Sequence, residues 1–306
     1  MKILVAGTIN LETTLRIDGF PVHYQPVRYP FFGVRSTVSG VGYNLAKALR
    51  TLGHDVRLFS IVGRDAPGEI TRRALAADHL PDADVRMLLE ETPQSVILYD
   101  PSGQRAIHVD LKNLQETAYP SEPFESALAW CDLAVLCNIN FTRVFLQRAR
   151  SMGKPVATDV HTISSLDDPY NRDYMQAADI LFMSHEHLPM PPEAWAAHVM
   201  RTFGNRLIAV GLGERGALGT VNHGDGRLSQ DLIPAVITRP IVNTIGAGDA
   251  LFASFLHAQS RLTDPFQAMR QAVVFASWKI GISGAADGFL TAPELDKLSA
   301  SVFTQI

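Results

Sequence analysis

Short apolar runs alternate with amphipathic stretches of helix length along most of the chain, and this alternation constrains the fold more than any single residue does. Apolar runs at 3–6, 56–62, 133–136, 156–158, 180–183 and 207–210 have the length of buried strands. Between them, residues 42–52, 68–77, 122–130, 142–152 and 193–203 carry helical periodicity. Strands separated by helices predict an α/β protein whose mainly parallel sheet is covered on both faces. After Asn243 the pattern turns mostly helical, over 247–259, 265–282 and 292–300.

Two stretches, about 13–38 and 85–110, break the alternation. The first holds Pro21, Pro26, Pro30 and several aromatics with no helical period. The second reads as extended segments around a turn at Asp100, Pro101, Ser102 and Gly103. Both predict strands that leave the main sheet and form a small sheet, as a flap over a cleft would. No repeat or long linker is visible, so residues 1–306 read as a single domain with these segments inserted.

The formal net charge of -4 spread over 306 residues argues against nucleic acid as a partner. Phosphate ligands stay open, because backbone N–H groups bind them without net positive charge. The two cysteines, Cys131 and Cys137, flank an apolar run and read as core residues, which argues against a disulfide framework or zinc site and favours a reducing cytoplasm. No run approaches the roughly 18 apolar residues of a membrane helix, so no membrane association is expected.

The most informative segment is Asn243, Thr244, Ile245, Gly246, Ala247, Gly248 and Asp249, at the mouth of an apolar helix and after a strand-like stretch at 235–237. Gly246 and Gly248 allow a ligand close to the backbone. The amides of Gly246, Ala247 and Gly248 are expected to be free donors at a helix start, where the dipole adds positive potential. That makes an anion hole suited to a migrating phosphoryl group. Asp249 in the first turn is placed to accept a proton from an attacking hydroxyl.

This segment resembles the signature of the ribokinase-like (PfkB) carbohydrate kinases, and the resemblance extends over nearly the whole chain. It implies a Rossmann-like three-layer core with a β-sheet lid that often mediates dimerisation, hence a possible homodimer. It implies ATP and Mg²⁺ as cofactors. Gly7 to Glu12 is similar to the family's substrate-binding Gly-x-x-Asn-x-Asp, with Glu12 for the Asp, which makes Asn10 and Glu12 candidates for holding sugar hydroxyls. Ser39 to Asn44 is similar to Gly-Gly-x-Gly-x-Asn, with Ser39 for the first Gly; its Gly40, Gly42 and Asn44 are candidate substrate contacts. Gly63 to Gly68 also matches a family element, read as a structural turn. Residues 210–217 resemble the nucleotide loop, with Gly211, Gly213, Gly216 and Thr244 as expected ATP contacts.

Three departures stand out. Asn243 replaces an Asp that in the family often helps bind a monovalent cation, so dependence on K⁺ is expected to be weak. The magnesium-associated Asn-x-x-Glu aligns with Ser184, His185, Glu186 and His187. Ser184 is kept as a nucleotide contact and Glu186, one residue out of place, as the metal candidate, although one residue turns a helical side chain by about 100°. Asp159 only partly matches another polar motif and is read as a polar group near the nucleotide.

The expected function is therefore ATP-dependent phosphorylation of a hydroxyl, the primary hydroxymethyl of a ribose- or fructose-like sugar, with Asp249 as base. The alternative is a nucleoside kinase, with Tyr24, Tyr29, Phe31 and Phe32 in the flap as stacking surfaces. A third reading is a non-catalytic sugar or nucleotide sensor.

Overall fold

The computed structural model describes residues 1–303, so residues 304–306 of the expected domain lie outside the described residues. The strands are β1 (Lys2–Ala6), β2 (Asn10–Arg16), β3 (Val34–Ser39), β4 (Asp55–Gly63), β5 (Val85–Leu89), β6 (Gln94–Tyr99), β7 (Arg105–Asp110), β8 (Leu133–Leu136), β9 (Val156–Asp159), β10 (Ile180–Ser184), β11 (Leu207–Gly211), β12 (Ala217–Asn222) and β13 (Leu228–Ile233). The helices are α1 (Val41–Thr51), α2 (Ala66–Ala77), α3 (Ser121–Trp130), α4 (Asn140–Arg143), α5 (Leu146–Ser151), α6 (Arg172–Ala177), α7 (Pro192–Phe203), α8 (Ala247–Gln259), α9 (Pro265–Lys279) and α10 (Ala292–Phe303).

Nine strands form the large sheet in the order β13-β12-β11-β10-β9-β8-β1-β4-β5. Pairing is parallel from β5 to β11 and antiparallel across β11, β12 and β13. Because side chains alternate across a strand, β1 feeds both layers. Ile3 and Val5 pack with Leu45, Leu49, Phe252, Phe255 and Phe275 of α1, α8 and α9. Leu4 and Ala6 pack with Phe124, Leu146, Met175 and Trp195 of α3, α5, α6 and α7. A fully buried side chain of this size contributes about 1.5–3 kcal/mol, which is why the strands read as continuous apolar runs.

Local signals set the helix ends. Asp65 caps α2 by accepting from the Gly68 amide at 3.0 Å. Asp264 caps α9 just ahead of Pro265. The expected helix over 142–152 is instead split into α4 and α5. The Thr142 hydroxyl bonds back to the Cys137 and Ile139 carbonyls there, a local competitor of the helical ladder. The strand expected at 235–237 does not form. Pro234 and Pro240 flank it, and its polar groups bond to α9 instead: the Ser277 hydroxyl donates to the Val236 carbonyl and accepts from the Thr238 amide.

The small sheet has the order β3-β2-β6-β7. It starts at Asn10, earlier than 13, and Val85–Leu89 is not part of it. That stretch pairs parallel with Ser60–Gly63 of β4, because β4 outruns its five-residue partner β1. Register places Asn10, Glu12 and Thr14 of β2 on one face with Arg35 and Thr37 of β3, Ser95 and Ile97 of β6, and Ile107 and Val109 of β7. This face looks onto the α/β core built on the large sheet. Arg35 reaches the Ser283 hydroxyl and Asp287 (2.7 Å), and Arg105 reaches the Thr244 hydroxyl and carbonyl (3.2 Å to the latter).

Candidate active site

In an open α/β sheet, ligands settle outside the carboxyl ends of the strands where the strand order reverses. Here that point lies between β1 and β8. The chain leaves β1 through Gly7, where a Cβ would stand 2.5 Å from Cys137 Sγ, just past β8. It then rises through Asn10 and Glu12 into the small sheet. The mouths of α1 and α8 converge beside this point.

Their side chains form one linked row. The Ser39 hydroxyl donates to Glu12 Oε2 (3.0 Å) and, at 3.4 Å, to Asn44 Oδ1. Asn44 Nδ2 in turn donates to Asp249 Oδ2 at 2.6 Å. Asn10 Nδ2 donates to Ser95 Oγ at 2.7 Å. Glu12, Ser39, Asn44 and Asn10 are buried, whereas Asp249 is half-buried and Gly248 is exposed. The helix mouth is therefore open to a ligand rather than sealed in the core. Glu12 Oε1 and Asn10 Oδ1 are buried without a partner among the described residues. A buried acceptor left unsatisfied costs about 1–3 kcal/mol, and a hydroxyl-bearing ligand is the natural remedy.

Desolvation raises the pKa of Asp249; the Asn44 hydrogen bond, His161 and Lys279 oppose that rise, and Asp159 adds to it. Desolvation likewise raises Glu12, against the hydrogen bond from Ser39. Two carboxylates here share one poorly hydrated region. Lys279 opposes the rise at both, a fully buried ammonium whose own pKa desolvation pushes down to about 8.

At the mouth of α8, Gly246 adopts φ 74°, and a Cβ there would lie 2.3 Å from the Ala285 carbonyl oxygen. Only glycine fits. The amides of Gly246 and Gly248 have no intramolecular acceptor among the described residues. Contrary to expectation, the Ala247 amide does have one, the Thr244 carbonyl at 3.3 Å. The Thr244 side chain, expected to contact the nucleotide, is held by Arg105 from the small sheet and so joins flap to core.

Gly42 is buried, and the space beyond its Cα is filled by the Gly7 backbone at 2.6 Å, so its missing side chain permits close helix–strand packing. Gly40, at φ 106°, stands over Asn10 Oδ1 and the Thr8 carbonyl.

The other rim lies beyond β9, β10 and β11. Ser184 and Gly211 are register partners at two strand ends. The Ser184 hydroxyl accepts from the Glu186 amide at 3.2 Å, and the Gly211 carbonyl accepts from the His185 amide at 2.9 Å. Gly213 is exposed at φ 61°, and a Cβ there would touch only the His185 ring, at 3.6 Å. Gly216, at φ 101°, faces the Ile233 carbonyl at 2.1 Å from a would-be Cβ, so it is a packing glycine. Glu186 is exposed, with only its backbone engaged. Asp159 accepts from the His161 amide at 2.8 Å at the end of β9. Among the described residues no group of three or more His, Cys, Asp or Glu side chains is built to hold a metal.

Four residues escaped the sequence reading. Ser39 was read only as a departure, yet it bridges Glu12 and Asn44. Arg35 and Arg105 tie the flap down. Lys279, in the last turn of an apolar helix, gives the sequence signal of an exposed dipole partner; only a lysine flanked by Ala276, Ser277 and Trp278 hinted at burial.

Residues 2–292 match the pfkB family carbohydrate kinase. An ATP-dependent ribose-1-phosphate kinase of Halopiger xanaduensis is 26% identical over 98% of this chain and 97% of its own. A microbiome-derived acarbose kinase superposes with a TM-score of 0.85 at 23% identity, covering 98% of both chains. A Burkholderia thailandensis nucleoside kinase solved with inosine gives 0.76 at 19% identity over 99% of both. No helix among the described residues is long and apolar enough to cross a membrane. With the family match running through both sheets and the helix mouth at Gly246, this chain belongs to the PfkB family of carbohydrate kinases, phosphotransferases that act on an alcohol group.

Proposed function

We propose that the chain transfers the γ-phosphate of ATP to a primary hydroxyl of a free ribose- or fructose-like sugar. The observation that carries this reading is the pair of buried acceptor oxygens without a partner among the described residues, Asn10 Oδ1 and Glu12 Oε1, the carboxylate of the latter joined through Ser39 and Asn44 to Asp249. Vicinal hydroxyls are the donors such a pair wants. Asp249 takes the hydroxyl proton, and its raised pKa makes it a stronger base than a solvated aspartate. The amides of Gly246 and Gly248 receive charge that develops on the transferring group. Gly211, Gly213 and Ser184 line the rim where the nucleotide lies.

Mg²⁺ is implied by the chemistry, and the residues suit an ion carried in by the phosphates, held by one carboxylate and water rather than by a protein cage. Asp159 and Glu186 are the candidate carboxylates on that rim. When bound, the ion supplies neutralisation of phosphate charge. The buried thiols Cys131 and Cys137 fit a reducing cytoplasm. The outward face of the small sheet, with Val34 and Val96 exposed, suits a second copy of the chain.

A nucleoside acceptor is the second reading. Tyr24, Tyr29, Phe31 and Phe32 are all exposed, and the rings of Tyr29 and Phe31 stack at 6.3 Å, leaving faces free for a base. ADP release measured with ribose, fructose, adenosine and inosine decides between the two. Release with a sugar and none with a nucleoside supports the first reading. Release with nucleosides alone replaces it with the second. Ligand-induced stabilisation without ADP release from any of them points to a sensor.

A further inference from the structure

Lys279 is the one fully buried lysine among the described residues. Burying an ammonium is expensive unless it is paired, and no carboxylate lies within salt-bridge distance of it among the described residues. Its amine instead donates to the carbonyl of Ile245, the residue that leads into Gly246. The surrounding backbone is clamped by the same end of α9. The Ile280 carbonyl accepts from the amides of Val242 (2.9 Å) and Asn243 (3.2 Å), and Arg239 grips the Trp278 carbonyl (2.6 Å from Nε).

The family resemblance raised a monovalent cation beside this loop, and the residues present do not fit one. The neutral Asn243 is buried, and its side-chain oxygen is turned onto the Ile245 amide at 3.1 Å. The Ile245 carbonyl already faces a cation, and that cation is part of the chain. We infer that the ammonium of Lys279 is a built-in substitute for a bound monovalent cation, positioning the Gly246–Gly248 phosphate loop by holding the Ile245 carbonyl from beneath. It also lies close enough to Glu12, Asp249 and Asp287 for all three to favour its charged form, against the desolvation that opposes it. Lys279 is thus a positioning residue that acts through the loop. The inference rests on reading that loop as the phosphate site.

The test uses the full chain as wild type, Lys279→Ala and Lys279→Met. Thermal unfolding and ADP release, with whichever of ribose or fructose the wild type accepts, are measured in matched potassium, ammonium and tetramethylammonium chlorides. The wild type should behave alike in all three salts. Lys279→Ala should lose about a hundredfold in turnover, as when an anion-site donor is removed. It should regain about tenfold or more in potassium or ammonium and nothing in tetramethylammonium, which is too large for the vacated space. The melting temperature of Lys279→Ala should rise with the same two ions. Lys279→Met, with the space filled by an apolar chain, should stay impaired in every salt.

Several-fold potassium activation of the wild type overturns the inference. So does a Lys279→Ala equally impaired in all salts, or a Lys279→Met with wild-type turnover. Should Lys279→Ala not fold, the wild-type and Lys279→Met arms still decide. Should the wild type release no ADP with any acceptor, the kinase reading falls, while the salt-specific melting shift still tests Lys279 on its own.

Discussion

The two rims of the cleft are built in different ways. On the rim proposed for the acceptor, Glu12, Ser39, Asn44 and Asp249 come from four elements, β2, β3, α1 and α8, and are joined by side-chain hydrogen bonds in a largely buried row. On the rim proposed for the nucleotide, Ser184, Glu186, Gly211 and Gly213 sit at strand ends and in turns, half-buried or exposed, and bond mainly through backbone. A buried side-chain network has high stakes: loss of one member leaves another unsatisfied in low dielectric. A backbone rim presents groups that no substitution other than proline deletes. Sensitivity to side-chain change should therefore concentrate on the acceptor rim.

The largest effect should come from the end of the row. Asp249→Asn keeps shape but cannot take a proton, so turnover should fall about a thousandfold, within the range of general-base contributions, while ATP and sugar still raise the melting temperature. Near wild-type turnover in this variant would remove the base assignment. Next comes Glu12→Ala, which deletes one carboxylate partner of the proposed hydroxyls. Hydrogen bonds to a charged group contribute about 1.5–3 kcal/mol each, so the sugar KM should rise about a hundredfold with the ATP KM within a few-fold. Equal rises in both KM values would take Glu12 out of the acceptor pocket.

A third effect concerns the helices that carry the row. His54, just after α1, and His257, in α8, are buried and hydrogen-bonded through Nε2 and Nδ1 at 3.0 Å, far from the helix mouths. The Arg261 guanidinium donates to His257 Nε2 at 3.1 Å. His257 must then carry its proton on Nδ1 and donate to His54 Nε2, which leaves His54 Nδ1–H without a partner among the described residues. Desolvation pushes both pKa values down to about 4, with Arg261 opposing further charge.

A depressed histidine pKa means the unfolded chain binds protons first as pH falls. Stability contributed by the neutral pair is thus complete above the ordinary value near 6.5 and is lost down to about 4. The slope is about 1.4 kcal/mol per pH unit for one such group. Urea midpoints between pH 7.5 and pH 4.5 should show this loss, and His257→Gln should flatten it; an unchanged slope in that variant would clear the pair of the role.

The sequence exposed the acceptor rim unevenly. Asp249 announced itself as a carboxylate at a glycine-rich helix mouth, and Asn10, Glu12 and Asn44 did so through their resemblance to the family's motifs. Their linkage did not, since it passes through Ser39 and depends on a register between β2 and β3 that the Pro-rich stretch between them conceals. The parallel core was legible because buried strands must be apolar on both faces. The strand expected at 235–237 failed because period and hydrophobicity do not reveal that Ser277 competes for its backbone. Glycines were legible only in part. The sequence shows where a side chain is missing but not what fills the space, and at Gly42 and Gly216 that is neighbouring backbone.

The smallest expected effect is the sharpest probe of the contrast. Glu186 is the one carboxylate on the turn after β10, and a metal role would make it the exception on a rim otherwise built from backbone. Its side chain is exposed, and only its amide is engaged, with Ser184 Oγ. An exposed carboxylate exchanges metal contact for water contact at little cost, because the ion arrives with its own phosphates and waters. Glu186→Ala should therefore change the KM for MgATP and turnover by no more than about threefold, in keeping with the near-zero to about 1 kcal/mol range of exposed ionic contacts. Asp159→Asn, at a half-buried strand end, should cost more. A tenfold loss confined to Glu186→Ala and relieved by raised magnesium would make that carboxylate a working ligand and abolish the distinction between the rims.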